Sequence, residues 1–231
     1  MRHWLNKVVT AGLLCCGASC PVSAQTPPSA AEIASYRGIH AAAVRGDLVE
    51  LRNHIRQKGD LEVRDDHGRT ALHVAVHSGH HEAVQELARA GANMTALDSR
   101  RYDVITIAAV KNDVEMVKLA ISLGSDPRAI TSPYEGTALI AAAHLGHADV
   151  VEALIAAKAP LDHVNNLGWT AAIEAVILGD GGTRHQATLK ALVDGGANIA
   201  IADREGRTPL AHARMRGFHK MQEILLLAPR Q

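Results

Sequence analysis

The chain has 231 residues, 24 basic and 24 acidic, so its formal net charge is zero and the broad positive footprint of a nucleic-acid binder is absent. Hydrophobic residues make up 47% of it but aromatics only 3%; its apolar content is alanine, leucine, valine and isoleucine, which suits short, closely packed helices. All three cysteines (Cys15, Cys16 and Cys20) lie within the first 20 residues, which excludes a disulfide framework and a cysteine metal site from everything that follows.

The first segment reads as an export signal. Arg2 and Lys7 supply a positive start, residues 8–16 are an apolar run of h-region length, and Val22-Ser23-Ala24 fits the small-residue cleavage pattern. Cleavage is expected after Ala24, making residues 1–24 a signal peptide. The run is too short to span a bilayer, so a retained anchor is disfavoured, as is a short cytosolic helix. Lipidation at Cys20 would place Gly17 where the lipobox usually carries an aliphatic residue. Removal of Arg2 and Lys7 would leave 22 basic and 24 acidic residues, a net charge of −2, and no cysteine. Such a chain cannot form wrong disulfides in an oxidising compartment. A periplasmic location with no membrane span is the expectation. Residues 25–34, with Pro27 and Pro28, read as a short flexible lead-in.

From residue 35 onward one plan recurs at a period near 33, and such a period decides the architecture. Gly46 and Gly79 are 33 apart, as are His40 and His73. Each copy has a turn, a helix start, a break and a second amphipathic helix. The copies fall at about 35–64, 65–97, 98–131, 132–164, 165–202 and 203–229. One copy cannot bury its own apolar face, so the copies must stack. The third departs furthest. Arg101 stands where the turn glycine belongs, and Asn112-Asp113 replaces Gly-His. Asp103 can still cap a helix, and Asn is the next-best residue for a left-handed helix end. The fifth carries an insertion at residues 179–184, which stretches Thr170 to Thr208 to 38 residues. In the sixth, Pro209 sits at a first helical position, where a missing N–H costs nothing.

These residues resemble the ankyrin-repeat family, whose pattern runs D-x-x-G-x-T-P-L-H-x-A-A-x-x-G-H, then a V-V-x-x-L-L helix and G-A-x-x. Residues 203–210 (Asp-Arg-Glu-Gly-Arg-Thr-Pro-Leu) match its opening, Gly79-His80 and Gly146-His147 its middle, and Gly91-Ala92-Asn93 and Gly196-Ala197-Asn198 its end. The resemblance covers residues 35–229. It implies an all-α solenoid of about six helix-turn-helix repeats joined by β-hairpin-like turns, with the first and last copies acting as caps.

Catalytic and metal chemistry find little support. His73, His77, His80 and His81 have the spacings of a zinc cluster, but the Gly79-His80 break keeps them off one helix face. The resemblance makes them scaffold hydrogen-bonders, together with His40, His147 and His212. No Gly-x-Ser-x-Gly elbow is present, and Gly179-Asp180-Gly181-Gly182 lacks the Gly-Lys-Ser/Thr of a phosphate loop. The chain reads as a non-enzyme with no cofactor and no metal.

What remains is a surface. In the ankyrin family, partner contacts come from hairpin tips and exposed first-helix positions lining a concave face. Here these are His67, Arg69, His77, Arg100, Tyr102, Lys111, Tyr134, His144, Asn166, Leu167, Trp169, Arg204 and Arg207. Trp, Tyr and Arg are common interface anchors, and Trp169 follows Tyr102 and Tyr134 in successive copies. The plainer alternative is that Trp169 packs on its neighbouring hairpin. The expected function is a monomeric protein-binding module or scaffold in the periplasm, with a stress-protection role expected only from the family. The alternative is an immunity or inhibitor protein that neutralises a toxic enzyme.

Overall fold

A computed structural model describes residues 26–228; the expected signal peptide lies outside them. A short helix, α1 (Ala30–Ser35), precedes six helix pairs. These are α2 (Gly38–Arg45) with α3 (Leu48–Arg56), α4 (Ala71–Ser78) with α5 (His81–Arg89), and α6 (Val104–Val110) with α7 (Val114–Ser122). Then come α8 (Ala138–Leu145) with α9 (Ala148–Ala156), α10 (Ala171–Ile177) with α11 (Thr183–Asp194), and α12 (Pro209–Met215) with α13 (His219–Leu226). The all-α repeat solenoid is thus observed, and among the described residues the only β-pairing is an isolated bridge between Thr131 and Gly136.

The first helices form one row, in which α2, α4, α6, α8, α10 and α12 each pack on the next. Their buried faces are rich in alanine, for example Ala41–Ala43 and Ala142–Ala143, and the missing bulk lets backbones approach closely. The second helices form an outer row that contributes Leu51, Leu87, Leu154 and Leu192, all fully buried. Each such leucine contributes about 1.5–3 kcal/mol relative to exposure. The outer row is weakest between α5 and α7, where the divergent third copy meets the second.

Helix ends follow the sequence closely. Gly46, Gly79 and Gly146 take left-handed conformations at the ends of α2, α4 and α8, and Asn112 does so after α6 with φ 57°. The Asp103 carboxylate accepts from the Thr106 N–H at 2.9 Å and caps α6, and Pro209 opens α12. Gly46 has a second task. A Cβ there would come within 2.7 Å of the His80 ring, which reaches back to donate to the Val44 carbonyl at 3.0 Å.

That reach-back repeats along the stack with changing residues. His147 donates to the Ala109 carbonyl at 2.9 Å, and His185 to the His144 carbonyl at 3.0 Å. In the last copy Arg216 takes the carbonyls of Ile177 and Gly179, at 2.6 and 2.9 Å. Each bond satisfies a carbonyl at or just beyond the end of a first helix, which has no intrahelical partner, and staples one copy to the next.

The lead-in carries α1 and a set of bonds to the repeats. Ser29 and Glu32 form a reciprocal capping box at the start of α1. Glu32 then pairs with Arg69 and, at 3.1 Å, with His67. The Thr26 carbonyl accepts from Arg69 at 3.3 Å, and the Thr26 hydroxyl from Arg100 at 3.4 Å. Residues 26–35 therefore lie across the tips of the second and third copies.

Candidate functional site

Each tip folds around one short polar side chain. Asp65 Oδ1 accepts from the N–H groups of His67 and Arg69 at 2.9 and 2.8 Å. Asp98, Asn165 and Asp203 repeat that pattern with the residues two and four positions on, and the Ser132 hydroxyl does so at 3.2 Å. This is the Asx-turn logic that favours Asp, Asn and Ser at turn starts. Successive tips are then tied together. The Ser99 N–H donates to the His67 carbonyl, and the Asn166 N–H to the Tyr134 carbonyl, both at 2.9 Å.

This frame presents some of the expected contact residues and hides others. His67, Arg100, Lys111, Tyr134, Asn166, Leu167, Arg204 and Arg207 are exposed, while His144 and Trp169 are half-buried. Arg69, His77 and Tyr102 are buried, and the expectation that they stand on the surface is corrected. Arg69 is only 2% exposed because Asp65, Glu32 and the Thr26 carbonyl surround its guanidinium. The Tyr36 hydroxyl joins the same cluster, donating to Asp65 at 2.7 Å. His77 lies in the row of first helices, and burial pushes its imidazole down to about 3. Burial likewise pushes the Tyr102 hydroxyl up to about 12.

Between the third and fifth copies the surface opens into a groove of about 320 Å³. It brings together four of the expected residues, Arg100, Tyr102, Tyr134 and His144. Trp169, Leu167, Arg204 and Arg207 do not line it. Its floor holds two residues the sequence did not single out, Asn165 and Glu174. Asn165 Nδ2 donates to Glu174 Oε1 at 2.7 Å, and His144 Nδ1 to Glu174 Oε2 at 3.1 Å. A periodic reading could have found Glu174. It falls four residues after the N-cap of α10, where the first four copies carry Ala41, Val74, Ile107 and Ala141.

The histidines that resemble a zinc cluster take separate partners. His73 accepts from Thr70 and donates to the carbonyls of Ala96 and Tyr102 at 3.0 and 3.2 Å. His80 reaches Val44, and His81 faces Asp113 at 3.2 Å. His40 reaches the Arg69 carbonyl at 2.9 Å and His212 the Asp203 carboxylate at 2.6 Å. Among the described residues no three His, Cys, Asp or Glu side chains converge in a way that could hold a metal ion. No helix among them is long and apolar enough to cross a membrane.

Known proteins share this arrangement. A family model described as ankyrin repeats (3 copies) matches residues 13–98, 39–130 and 105–203. The ankyrin repeat protein YahD of Escherichia coli K12 is 30% identical over 188 residues, covering 81% of this chain and 93% of that protein. The crystal structure of an ankyrin repeat domain from Acinetobacter baumannii superposes with a TM-score of 0.78 at 39% identity, covering 82% of this chain and 96% of that one. A chain from the complex of a Bdellovibrio bacteriovorus predatory endopeptidase with its immunity protein superposes with a TM-score of 0.70. Its identity is 22%, covering 83% of this chain and 98% of that one, so the likeness is one of fold. The fold is generally one of non-catalytic interaction. With the family's repeats matched over residues 13–203 and six helix pairs stacked in order, the chain belongs to the ankyrin-repeat family.

Proposed function

We propose that the chain is a non-catalytic protein-binding module of the bacterial periplasm, holding a partner on the face formed by its tips and first helices. The observation that carries the reading is the groove between the third and fifth copies. It gathers Tyr102, Tyr134, His144 and Arg100 beside exposed tips that carry Leu167 and Arg204. An apolar groove with a few convergent polar groups is the usual form of a binding site. Export is supported by Arg2, Lys7, the apolar run at residues 8–16 and the small residues before Gln25. A stress-protection role follows only from the family resemblance.

Affinity capture tests the reading. Residues 25–231 are used as bait in periplasmic extract, beside a Trp169→Ala/Tyr134→Ala variant. One dominant partner lost in the variant is the expected result, with Trp169→Ala alone weakening binding by more than about 1 kcal/mol. No partner for a correctly folded bait, or equal capture by both, contradicts it. Unfolding of Trp169→Ala would make that residue a packing residue of its hairpin. The second reading is an immunity or inhibitor protein. A complex containing an immunity protein has a chain of this fold, and stoichiometric inhibition of a toxic enzyme encoded nearby would favour that role.

A further inference from the structure

Glu174 is anomalous in its own register. Its counterparts are Ala41, Val74, Ile107 and Ala141 in the first four repeats and His212, which pairs with Asp203 at 2.6 Å, in the sixth, so an acid stands there in the fifth copy alone. Glu174 is nonetheless 5% exposed, and burying a carboxylate is costly unless it is well paired. Its pairing is incomplete. Oε1 accepts one bond from the Asn165 amide and Oε2 one from the His144 ring. Among the described residues no lysine or arginine forms an ion pair with it. A carboxylate offers about four acceptor sites, which leaves one lone pair on each oxygen. The tip residue is adjusted to match, because Asn165 stands where three other copies carry Asp65, Asp98 and Asp203. Its amide donates to Glu174, where an aspartate would repel it. The chain's own nearby cation is directed elsewhere, since Arg100 on the rim donates to the Thr26 hydroxyl.

Resting on the protein-binding reading above, we propose that this groove receives a single arginine side chain of the partner. The guanidinium donates in a fork to both oxygens of Glu174, and the aliphatic stem lies along Tyr102, Tyr134 and Ile140. A fork of two parallel N–H donors suits two free lone pairs on adjacent oxygens, which a lysine ammonium cannot match. Tyrosine faces also accept a guanidinium plane. At about 320 Å³ the groove stands at the small end of ligand pockets, about 300–1,000 Å³. That is room for one side chain and not for a helix.

The test is a titration of the isotope-labelled protein, expressed from its full sequence, with Nα-acetyl-arginine amide and with the neutral isostere Nα-acetyl-citrulline amide. Saturable shifts of the backbone amides of Tyr102, Tyr134, His144 and Glu174 are expected with the arginine probe and not with citrulline. Glu174→Gln should lower the arginine affinity by about thirtyfold or more, the scale for removing one partner of a desolvated charge pair. Equal response to both probes, shifts only elsewhere on the molecule, or unchanged affinity in a folded Glu174→Gln protein would overturn the proposal. If Glu174→Gln does not fold, Tyr134→Ala serves, because that side chain is 49% exposed. Unchanged arginine affinity in that variant would count equally against the stem contact. A partner captured from extract together with no arginine binding would remove the arginine alone and leave the binding module standing.

Discussion

The tip face divides into two halves at Arg100, and residues in one register behave differently on either side. The residue just before each first-helix N-cap is Tyr36, Arg69, Tyr102, Gly136, Trp169 and Arg207 in turn. Tyr36, Arg69 and Tyr102 are 9%, 2% and 3% exposed, whereas Trp169 is half-buried and Arg207 exposed. At Arg69 the cover comes from residues 26–35, whose Glu32 and Thr26 reach its guanidinium, whereas Tyr102 lines the groove between the third and fifth copies. Among the described residues no segment outside the repeats bonds to the later tips, where Tyr134 and Leu167 are 49% and 38% exposed; His67, in their register, is exposed as they are. A repeat fixes where a side chain starts. What covers it is decided by its neighbours.

Removing one arginine from each half should separate the two most clearly. Arg69→Ala should cost about 1–3 kcal/mol in urea unfolding, because it removes the buried cation shared by the partly buried Asp65 and Glu32 carboxylates. Arg204→Ala, at an exposed tip, should stay within about 0.5 kcal/mol. Similar losses for the two would mean that the N-terminal cover is not structural.

The buried half should also be the acid-sensitive one. Burial pushes His77 down to about 3, so the folded chain keeps it neutral while the unfolded chain takes up a proton below about pH 6.5. Stability is therefore lost as pH falls from about 6.5 toward 3. The urea midpoint should drop between about pH 7 and 5, and His77→Gln should flatten that drop; an equal slope in both proteins would contradict it. Below this range Glu32 acts in the same direction. The hydroxyl and backbone N–H of Ser29, with Arg69 beyond them, hold its carboxyl at about 2. Its contribution is present above the unfolded value, about 4, and lost as pH falls toward 2.

A smaller effect concerns the insertion in the fifth copy. Arg216 donates to the Ile177 and Gly179 carbonyls and lies 4.7 Å from the centre of the Phe218 ring, and His185 faces Asp180 at 3.0 Å. Arg216→Ala should speed amide exchange around residues 178–182 while lowering global stability by less than about 1 kcal/mol. Exchange unchanged there would show that Arg216 is not its anchor.

The six helix pairs were legible because each is specified within about 33 residues by a cap, a glycine break and an apolar stripe. Even the divergent third copy was readable, since Asp103 caps and Asn112 turns as their chemistry requires. The family pattern could not show which tips are covered. The Arg69–Glu32 pair spans 37 residues, and the alternation of apolar residues carries no information about such a contact. His185 was missed for a related reason. The insertion moved the reach-back histidine out of the Gly-His position, and only its role was retained. The groove was half legible: Tyr134 and His144 follow from the repeat, whereas Glu174 was not singled out, although the first four copies are apolar at its position.

We propose that the partner is held on the later half of the tip face. Hydrogen–deuterium exchange of the chain alone and with its captured partner tests it most directly. New protection is expected at Tyr134, His144, Leu167–Trp169 and Arg204, with residues 65–69 unchanged. Protection confined to residues 65–69 or to the outer helices, or none at all, would contradict it.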